Sequence, residues 1–546
     1  MRIGGKMTGA KALVESLERA GAEVVFGYPG GNIVDVFDCV RTAKFRFVLG
    51  RHEQGCVHMA DGYARATGRP GVAIVTSGPG ATNAITGLAT ANMDGVPLVL
   101  VSGQVPLSQI GTDAFQEADM TGICRAATKH SFLVKSADEI PETVAEAFYI
   151  ATHGKPGAVV IDVPRNVQEE LTSARYPERV SLRAYHPESA ATPAQVAKLA
   201  KWLNEAKRPV ILAGGGVIAA NASEDVASLA AKADIPVATT LMGIGSINGA
   251  DAHSLGMAGL YGTRAANAAL VAADLVVALG VRFSDRVTDR CFPGGRHKAR
   301  LVHVDCDPSS IDKNVPVDLG IVADVKDLLT TVNSRVKPNG HAAWMARVAE
   351  WKAESPAVRA RSRAGAIAPQ DVLEAVNRVA REDAVFVADV GQNQMWCAQH
   401  LRHSVPRHFI SSGGMGTMGF ALPAAIGAAI ARPECRVVAV AGDGGIQMTM
   451  EELAVAVAEK VPVVVVVMDN GCLGMVRQMQ DEDFGGRRCA VGFPRSCPDF
   501  AKLARAYGAT GVRVTDSGKL EAVLSRAMRS RRPVLVDVAV DPEANA

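Results

Sequence analysis

Short runs of Val, Ile and Leu recur along the whole chain, and Ala-rich stretches with helical character separate them. The clearest runs are GVAIVTSG, PLVLVSG, AVVIDVP, PVILAGGG, DLVVALG, RLVHVD, AVFVADVG, RVVAVAGDG, PVVVVVMDN and PVLVDV. A strand that is apolar on both faces has to be covered on both faces, and parallel sheets between layers of helices meet that requirement. The pattern therefore predicts the α/β class.

With 546 residues, the chain is too long for a single hydrophobic core. Two polar stretches without an apolar period, 172–195 and 351–370, are predicted to be linkers. They divide the chain into three predicted domains, at 1–170, 190–345 and 365–546, each with a parallel sheet flanked by helices.

The stretch 72–104 resembles the stretch 437–471. Both are read as a strand, a Gly-x-Gly turn, a helix, a Val-Pro pair and a second strand. This faint repeat predicts that the first and third domains share a topology, whereas the middle domain lacks the pattern. The alternative is that any βαβ unit produces it.

Composition excludes several classes of protein. The formal net charge is only +2, which gives no support for a nucleic-acid or membrane partner. The longest aliphatic run, at 461–468, is too short to span a bilayer. The first residues carry no apolar signal core and read as a helix followed by a strand. The ten cysteines form no CxxC pair, so they are expected to be thiols in a reducing compartment, the cytoplasm.

The run VVAVAGDGGIQM ends in a glycine-rich turn that carries an acid, Asp443, and Asn470 follows the next apolar run. Ligands of open parallel sheets bind at the carboxyl ends of strands, so both side chains are expected at one edge. A carboxylate and an amide oxygen suit magnesium, whose other ligands are then phosphate and water. The glycines and the following helix N-terminus favour a diphosphate. The alternative is a tight turn with a capping Asp.

Two further turns are candidates for binding. Glu53, in RHEQG, follows a short apolar strand and opens a helix-like stretch, although a solvated Glu at a helix N-terminus would give the same pattern. The stretch SGPGATN, at 77–83, is a glycine turn into a helix and alone is weak evidence for a phosphate.

These motifs carry a family resemblance. RHEQG with MADGYARATG, SGPGATN and the GDG turn with its following Asn together resemble thiamine diphosphate enzymes. More closely, IGTDAFQE, TKHSFLV, GVRFSDR, SSGGMGTMGFALPAAIGA and LGMVRQ are similar to the large catalytic subunit of the acetohydroxyacid synthase (acetolactate synthase) family, from about residue 7 to 540. The resemblance implies an enzyme that decarboxylates pyruvate and joins the remaining two-carbon unit to a second 2-oxo acid. Pyruvate would give 2-acetolactate and 2-oxobutyrate would give 2-aceto-2-hydroxybutyrate, the first step of valine and isoleucine biosynthesis.

The resemblance also implies roles for residues of the first and third domains. Glu53 would hold the aminopyrimidine of thiamine diphosphate, and Met418 would keep its two rings bent; with Gln116 they are the expected catalytic residues. The expected magnesium ligands are Asp443, Asn470 and the backbone carbonyl of Cys472. Further cofactor contacts are expected at Gly80, Asn83, Gln392, Asn393, Gly416, Thr417, Gly442, Gly444 and Gly445. The expected substrate pocket comprises Gly31, Phe115, Arg165 and Met479.

The middle domain of this family binds FAD, which takes no redox part in the main reaction. Contacts to it are expected at Lys155, Gly214, Gly215, Thr240, Leu241, Met242, Gly262, Thr263, Arg282, Asp305 and Asp324. The chain departs from the family at three positions near this site. Tyr261 stands where His is usual, Ser284 where Asp is usual and Lys155 where Arg is usual, so a lowered affinity for FAD is expected.

Other departures concern substrates and assembly. Asn393 and Arg165 replace the family's more common His and Lys, and Met479 replaces a Trp that helps to select the larger acceptor. The sequence also ends without the family's NVLPMVP-like tail, so a weaker preference for 2-oxobutyrate is expected. The family forms its site between subunits, which implies a homodimer or homotetramer. It often pairs with a small regulatory subunit.

Other functions fit part of the pattern. Another thiamine-dependent carboligase, including the flavin-free catabolic acetolactate synthase, is the closest competitor, and a flavin spectrum of the purified protein would separate the two. A specialised paralogue with a different acceptor is compatible with Met479. A scaffold without catalysis is opposed by the joint presence of Glu53, Asp443 and Asn470.

Overall fold

The computed structural model of the protein describes residues 2–3, 5–295, 297–354, 363, 365–493 and 497–546. Three six-stranded sheets form its framework, every strand pair within them is parallel, and helices flank them. The predicted α/β class is confirmed. No helix in the described part of the chain combines the length and the apolarity that a bilayer crossing requires.

The first sheet has the strand order β4-β3-β5-β6-β8-β7. Its strands are β3 (Val24–Gly27), β4 (Arg46–Leu49), β5 (Gly71–Val75), β6 (Leu98–Gln104), β7 (His130–Leu133) and β8 (Ala158–Pro164). A small antiparallel sheet beside it consists of β1 (Arg2–Ile3), β2 (Lys6–Thr8) and β9 (Leu171–Thr172). The helices are α1 (Gly9–Arg19), α2 (Val34–Val40), α3 (Glu53–Thr67), α4 (Pro79–Asn83), α5 (Ile85–Asp94), α6 (Met120–Cys124), α7 (Ile140–Thr152) and α8 (Arg165–Glu169).

The middle sheet has the order β12-β11-β10-β13-β14-β15. Its strands are β10 (Pro209–Ala213), β11 (Val237–Thr239), β12 (Ser254–Met257), β13 (Leu275–Leu279), β14 (Arg300–Asp305) and β15 (Leu319–Val322). Its helices are α9 (Pro193–Glu205), α10 (Gly215–Ala219), α11 (Ser223–Ala233), α12 (Arg264–Ala272), α13 (Asp285–Cys291), α14 (Val325–Arg335) and α15 (Ala342–Ala353). This is the 3-2-1-4-5-6 order of dinucleotide-binding sheets, whose ligands lie at the switch point between the first and fourth strands.

The third sheet has the order β17-β16-β18-β19-β21-β20. Its strands are β16 (Val385–Ala388), β17 (Phe409–Ser411), β18 (Val437–Gly442), β19 (Val464–Asp469), β20 (Thr510–Val514) and β21 (Val534–Ala539). Its helices are α16 (Pro369–Val379), α17 (Gln392–His400), α18 (Ala421–Ala431), α19 (Asp443–Ile446), α20 (Leu453–Ala458), α21 (Gly474–Phe484), α22 (Phe500–Ala506) and α23 (Ser517–Arg529).

The first and third sheets share one topology. Numbered within each domain, both follow the order 2-1-3-4-6-5. The faint repeat between 72–104 and 437–471 therefore marks a common fold, and this prediction is confirmed. The repeat coincides with β5 and β6 in the first sheet and with β18 and β19 in the third.

All ten strands predicted from apolar runs are present. The segment 173–192 between the first two sheets is largely irregular, as expected of a linker. Of the second predicted linker, 351–370, residues 355–362 and 364 lie outside the described residues, while α15 and α16 reach into its two ends. The exact domain limits remain a prediction.

Helices α3 and α18 join the first and third domains through one buried core. Glycines allow their backbones to approach closely, since a Cβ at Gly62 would overlap the carbonyl oxygen of Ala424 and a Cβ at Gly427 would overlap that of Met59. The core around them includes Val57 of α3 and other side chains from both sheets. The two domains are therefore packed as one body, with α3 fixed at their boundary.

A buried carboxyl group ties the loop after β6 to the first sheet. Asp162 of β8 accepts hydrogen bonds from the Ser102 hydroxyl at 2.6 Å and from the Gln104 side-chain amide at 2.8 Å. The same amide of Gln104 donates to the carbonyl oxygen of Ala118, at the far end of the loop. Burial raises the pKa of Asp162 to about 7.

Substituting Gly62→Ala is expected to destabilise the protein by about 1–3 kcal/mol, because the added methyl group has to push α3 and α18 apart. Urea unfolding monitored by circular dichroism measures the loss. Gly340→Ala is the matched control, since a Cβ there meets no atom within 4 Å, and its effect should stay within about 0.5 kcal/mol. Equal effects of both substitutions would contradict the interpretation.

Asp162 should make stability depend on pH. Its folded-state pKa of about 7 lies above the value of about 3.9 for an unfolded Asp, so the folded state binds more protons between these values. The free energy of unfolding therefore falls as pH rises through this window. Asp162→Asn should flatten that decline by up to about 1.4 kcal/mol per pH unit, measured by urea unfolding. Asp289→Asn, at an exposed site, should leave the slope unchanged.

Candidate functional site

The glycine turn after β18 places Asp443 next to the end of β19. Strands β18 and β19 are hydrogen-bonded neighbours, and Asn470 follows β19 directly, so the two predicted metal ligands lie at adjacent strand ends. The Asn470 side-chain oxygen accepts from the amide of Cys472 at 3.1 Å, which turns the chain back after the strand. Asp443 opens the short helix α19, and its neighbours Gly444 and Gly445 are buried.

The Asp443 carboxyl group has the properties expected of a metal ligand. One of its oxygens accepts from the Gly444 amide at 2.9 Å, while its buried Oδ2 has no hydrogen-bond partner among the described residues. Burial, together with the nearby Asp469 carboxylate, raises the pKa of Asp443 to about 7. A dication bound to Oδ2 would supply the missing partner and offset both costs, so the residues present fit magnesium and a diphosphate.

Two additional groups lie close to Asp443, and the sequence patterns did not indicate either of them. Ligand atoms of Asp443, Asp469 and Cys497 all lie within 4.8 Å of one another. Magnesium binds oxygen rather than sulfur, and Asp469 already pairs with Arg513 at 2.9 Å. A polar residue at the end of a strand is the signal that could have indicated Asp469.

The loop carrying Met418 lies against this turn. The Met418 methyl group is 3.4 Å from the position of a Cβ on Gly444, an ordinary van der Waals distance, so the loop lies next to the turn. Buried Asp389 holds the loop, since its carboxylate accepts from the amides of Gly419 and Ala421 at 2.9 and 3.0 Å. Burial raises the pKa of Asp389 to about 6. The sequence patterns did not indicate this carboxylate, because the backbone amides that it binds are distant in sequence.

Other predicted contacts in this region have partners within the protein. The Thr417 hydroxyl is 2.7 Å from that of Thr90 in α5, which links the loop to the first domain. Asn393 donates to the carbonyl oxygens of Asp389 and Val440 at 2.7 and 3.3 Å. Its side chain therefore braces two strand ends. Gly416 adopts a φ of +64° in the same loop as Thr417.

Gln392 lies beneath α21. Its amide donates to Gln478 and to the Ala544 carbonyl, each at 2.9 Å, whereas its buried Oε1 has no partner among the described residues. That oxygen faces Gly474, where a Cβ would overlap it. A Cβ at Gly442 would make only an ordinary contact, 3.4 Å from the side-chain oxygen of Asn393.

Glu53 is the first residue of α3 and is largely buried. Its Oε2 accepts from the Asn83 amide at 3.0 Å, and its Oε1 is 3.2 Å from the position of a Cβ on Gly80. Gln116 has a φ of +62° and lies against Gly78, the turn that begins α4. The structure thus brings Glu53, Gly80, Asn83 and Gln116 together at the carboxyl ends of the first sheet.

No hydrogen bond or ion pair between described residues joins the Glu53 group to the Asp443 turn. Phe115, beside Gln116, is 87 % exposed, and Gly31 begins the 3-10 helix Gly31–Ile33 near the same sheet edge. Arg165 pairs with Glu169 at 3.1 Å and with Asp35 at 3.7 Å.

A cavity of about 1240 Å³ lies at the switch point of the middle sheet and is lined by all three domains. It exceeds the usual size of a small-ligand pocket, as a dinucleotide would require. Predicted flavin contacts lining it are Lys155, Gly215, Thr240, Leu241, Met242, Arg282, Asp305 and Asp324. Tyr261 and Ser284 line it as well.

Near this cavity, Asp305 is buried and accepts from the Asp307 amide at 2.9 Å; burial raises its pKa to about 6. Three predicted contacts are not among the lining residues. Gly214 instead packs against Gly280, Gly262 forms a turn, and the Thr263 hydroxyl caps α12.

The same cavity extends to the third domain. Gly416, Met418 and Met479 also line it, and Met479, on α21, is 38 % exposed. Asp94 of the first domain also lines it and accepts from the Gly413 and Gly414 amides at 3.1 and 2.7 Å. The predicted flavin contacts and the residue expected to influence acceptor choice therefore share one continuous space.

Models of three domains of thiamine pyrophosphate enzymes match the chain. They are the N-terminal TPP binding domain at 7–123, the central domain at 196–332 and the C-terminal TPP binding domain at 389–538. These matches confirm the predicted thiamine-dependent enzyme class.

Relatives similar over nearly the whole chain share one name. The acetolactate synthase large subunit of Haemophilus influenzae is 45 % identical over 98 % of this chain and 95 % of its own length. The isozyme 3 large subunit of Escherichia coli is 43 % identical, with the same coverage of each chain. The probable large subunit of Methanocaldococcus jannaschii is 43 % identical over 98 % of this chain and 92 % of its own. The predicted family is thus confirmed, and the chain belongs to the acetolactate synthase large subunits among the thiamine pyrophosphate enzymes.

Proposed function

We propose that this chain catalyses the acetolactate synthase reaction, in which pyruvate loses carbon dioxide and its two-carbon remainder is joined to a second 2-oxo acid. The observation that carries this proposal is the buried Asp443 carboxyl group, whose Oδ2 is unpartnered in the described structure at the end of β18. Identity above 40 % to acetolactate synthase large subunits supports it.

The proposed ligands of magnesium are Asp443, Asn470 and the carbonyl oxygen of Cys472. Thiamine diphosphate, when bound, supplies a carbon nucleophile and an electron sink for the decarboxylation. Buried Asp389 fixes the Met418 loop through backbone amides, so that Met418 is held against the turn that would receive the diphosphate. The chain thereby prepares the shape of this half of the site before the cofactor arrives.

Glu53 is proposed to hold a proton at its carboxyl group and to share it with the pyrimidine ring. Asn83 donates to one of its oxygens at 3.0 Å and so fixes the plane of the carboxyl group. Gln116, which lies against the turn at Gly78, is proposed to orient a substrate. Arg165 is the predicted cation for an acceptor carboxylate. Burial of Glu53 excludes water from the proton it holds.

We further propose that the large cavity holds FAD without a redox role. Arg282 can pair with the diphosphate, and Asp305 lies at a strand end suited to a ribose hydroxyl. Tyr261, Ser284 and Lys155 all line the cavity at positions where the family usually has other residues. A flavin spectrum of the purified protein would distinguish this enzyme from a flavin-free carboligase.

The proposed assembly is at least a homodimer in the cytoplasm, with a small regulatory subunit as a further partner. The family forms its site between subunits, so a second copy is proposed to complete each site. Phe115 is 87 % exposed and Met448 is 53 % exposed, and a second copy is proposed to cover these apolar side chains. Sedimentation velocity of the purified chain tests the assembly.

The direct test is incubation with pyruvate, magnesium and thiamine diphosphate, with and without FAD, and identification of the product. We expect 2-acetolactate. Glu53→Gln should lower kcat by about 10²–10⁴-fold, because the amide cannot exchange a proton with the ring in the same way, while thiamine diphosphate still binds. Glu224→Gln, at an exposed position of α11, is the control and should keep full activity. Unchanged carboligation by Glu53→Gln would refute the mechanism.

Met479 should set a weak preference between acceptors, because a flexible thioether offers no flat wall to the longer substrate. In competition between pyruvate and 2-oxobutyrate, Met479→Trp is expected to shift product formation at least about fivefold towards 2-aceto-2-hydroxybutyrate, a change of about 1 kcal/mol. Val271→Trp, at an exposed position of α12, serves as the control for added bulk. A strong 2-oxobutyrate preference in the unaltered enzyme would contradict the role of Met479.

A further inference from the structure

A glutamate of the third domain reaches the beginning of the helix that carries Glu53. Glu452 ends the 3-10 helix Met450–Glu452, a few residues after the Asp443 turn, and its side chain is fully buried. Its two carboxylate oxygens each lie 3.2 Å from the backbone nitrogen of Arg51, and Oε1 accepts from the backbone amide of His52 at 3.0 Å.

These contacts involve the two peptides directly before Glu53. Glu53 is the first residue of α3, so the direction in which its side chain leaves the backbone depends on how Arg51 and His52 are held. His52 is extended, with a φ of −149°, and its ring accepts from the Gln54 amide at 3.1 Å. Glu452 therefore supplies, from another domain, the anion that the first turn of this helix favours.

The surroundings make room for this carboxylate. A Cβ at Gly55 would overlap Glu452 Oε1, so the glycine in the first turn of α3 leaves the space that the carboxylate occupies. The Arg51 guanidinium donates to the carbonyl oxygens of Leu49 and Gly50. Backbone amides, rather than a guanidinium fork, thus hold Glu452 in place, and burial raises its pKa to about 7.

We propose that Glu452 is a positioning residue that fixes Glu53 in the orientation its proton exchange requires. This inference rests on the proposed role of Glu53. Domain docking is already provided by α3 and α18, whose packing lies further along the helix at Gly62. Glu452 instead controls only the first turn, so its loss should affect the chemistry of Glu53 more than the stability of the fold.

The test measures hydrogen–deuterium exchange at C2 of thiamine diphosphate bound to the full chain with magnesium, by acid quench and NMR. Glu452→Gln keeps the shape but turns an amide group towards a buried N–H donor. We expect at least about tenfold slower exchange and a similar fall in kcat. KM for pyruvate should change less than about threefold, and the melting temperature by only a few degrees. Glu451→Gln, in the same 3-10 helix, is the matched control and should exchange at the normal rate.

A double substitution separates positioning from other roles. If Glu452 acts only through Glu53, adding Glu452→Gln to Glu53→Gln should slow exchange no further, to within about twofold. An additive loss would overturn the proposal, as would a normal rate in Glu452→Gln alongside a slow Glu53→Gln. A normal rate in Glu53→Gln itself would instead refute the proposed function, and this inference with it.

A second variant keeps the test available if Glu452→Gln does not fold. Gly55→Ala leaves the carboxylate intact but displaces it, because the new methyl group occupies the position of Oε1. It should slow C2 exchange at least about fivefold, and that loss should also vanish in the Glu53→Gln background. Normal exchange in a folded Gly55→Ala protein would overturn the proposal.

Discussion

The close packing of α3 against α18 is the contact on which the rest of the structure depends. Gly62 and Gly427 let the two backbones touch, and the core around them is shared by the first and third sheets. This contact sets where Glu53 begins α3 and how the Met418 loop approaches α18. Thr90 and Asp94 then attach that loop to the first domain. The geometry of the proposed site is therefore a consequence of helix packing between domains.

The sequence patterns predicted the central strands of each sheet and missed most of the edge strands. Strands β7, β12, β15, β17 and β20 all lie at sheet edges, and none was predicted. An edge strand pairs on one side only and needs less continuous apolar sequence, as the burial pattern of β7 illustrates with no fully buried residue. The short strand β11 was also missed, because three residues carry too little periodicity.

The candidate site likewise divides into residues that the sequence indicated and residues that it did not. Motifs indicated Glu53, Asp443 and Asn470, since catalytic groups in this family sit in distinctive glycine-rich turns. Asp389 and Glu452 were not found, because each acts through backbone amides that are distant in sequence. Their importance depends on burial and direction, which follow only from the packed structure. Motifs thus predict the residues proposed to contact a cofactor better than the residues that position them.

The continuous cavity between the middle and third domains has a thermodynamic consequence. Lys155, Asp324 and Met479 all line it. Two molecules bound together in this cavity would share part of its walls, so their affinities would be linked and each would alter that of the other by the same factor. Under the proposed role of Met479, substrate selectivity is a property of the loaded cavity and not of residue 479 alone.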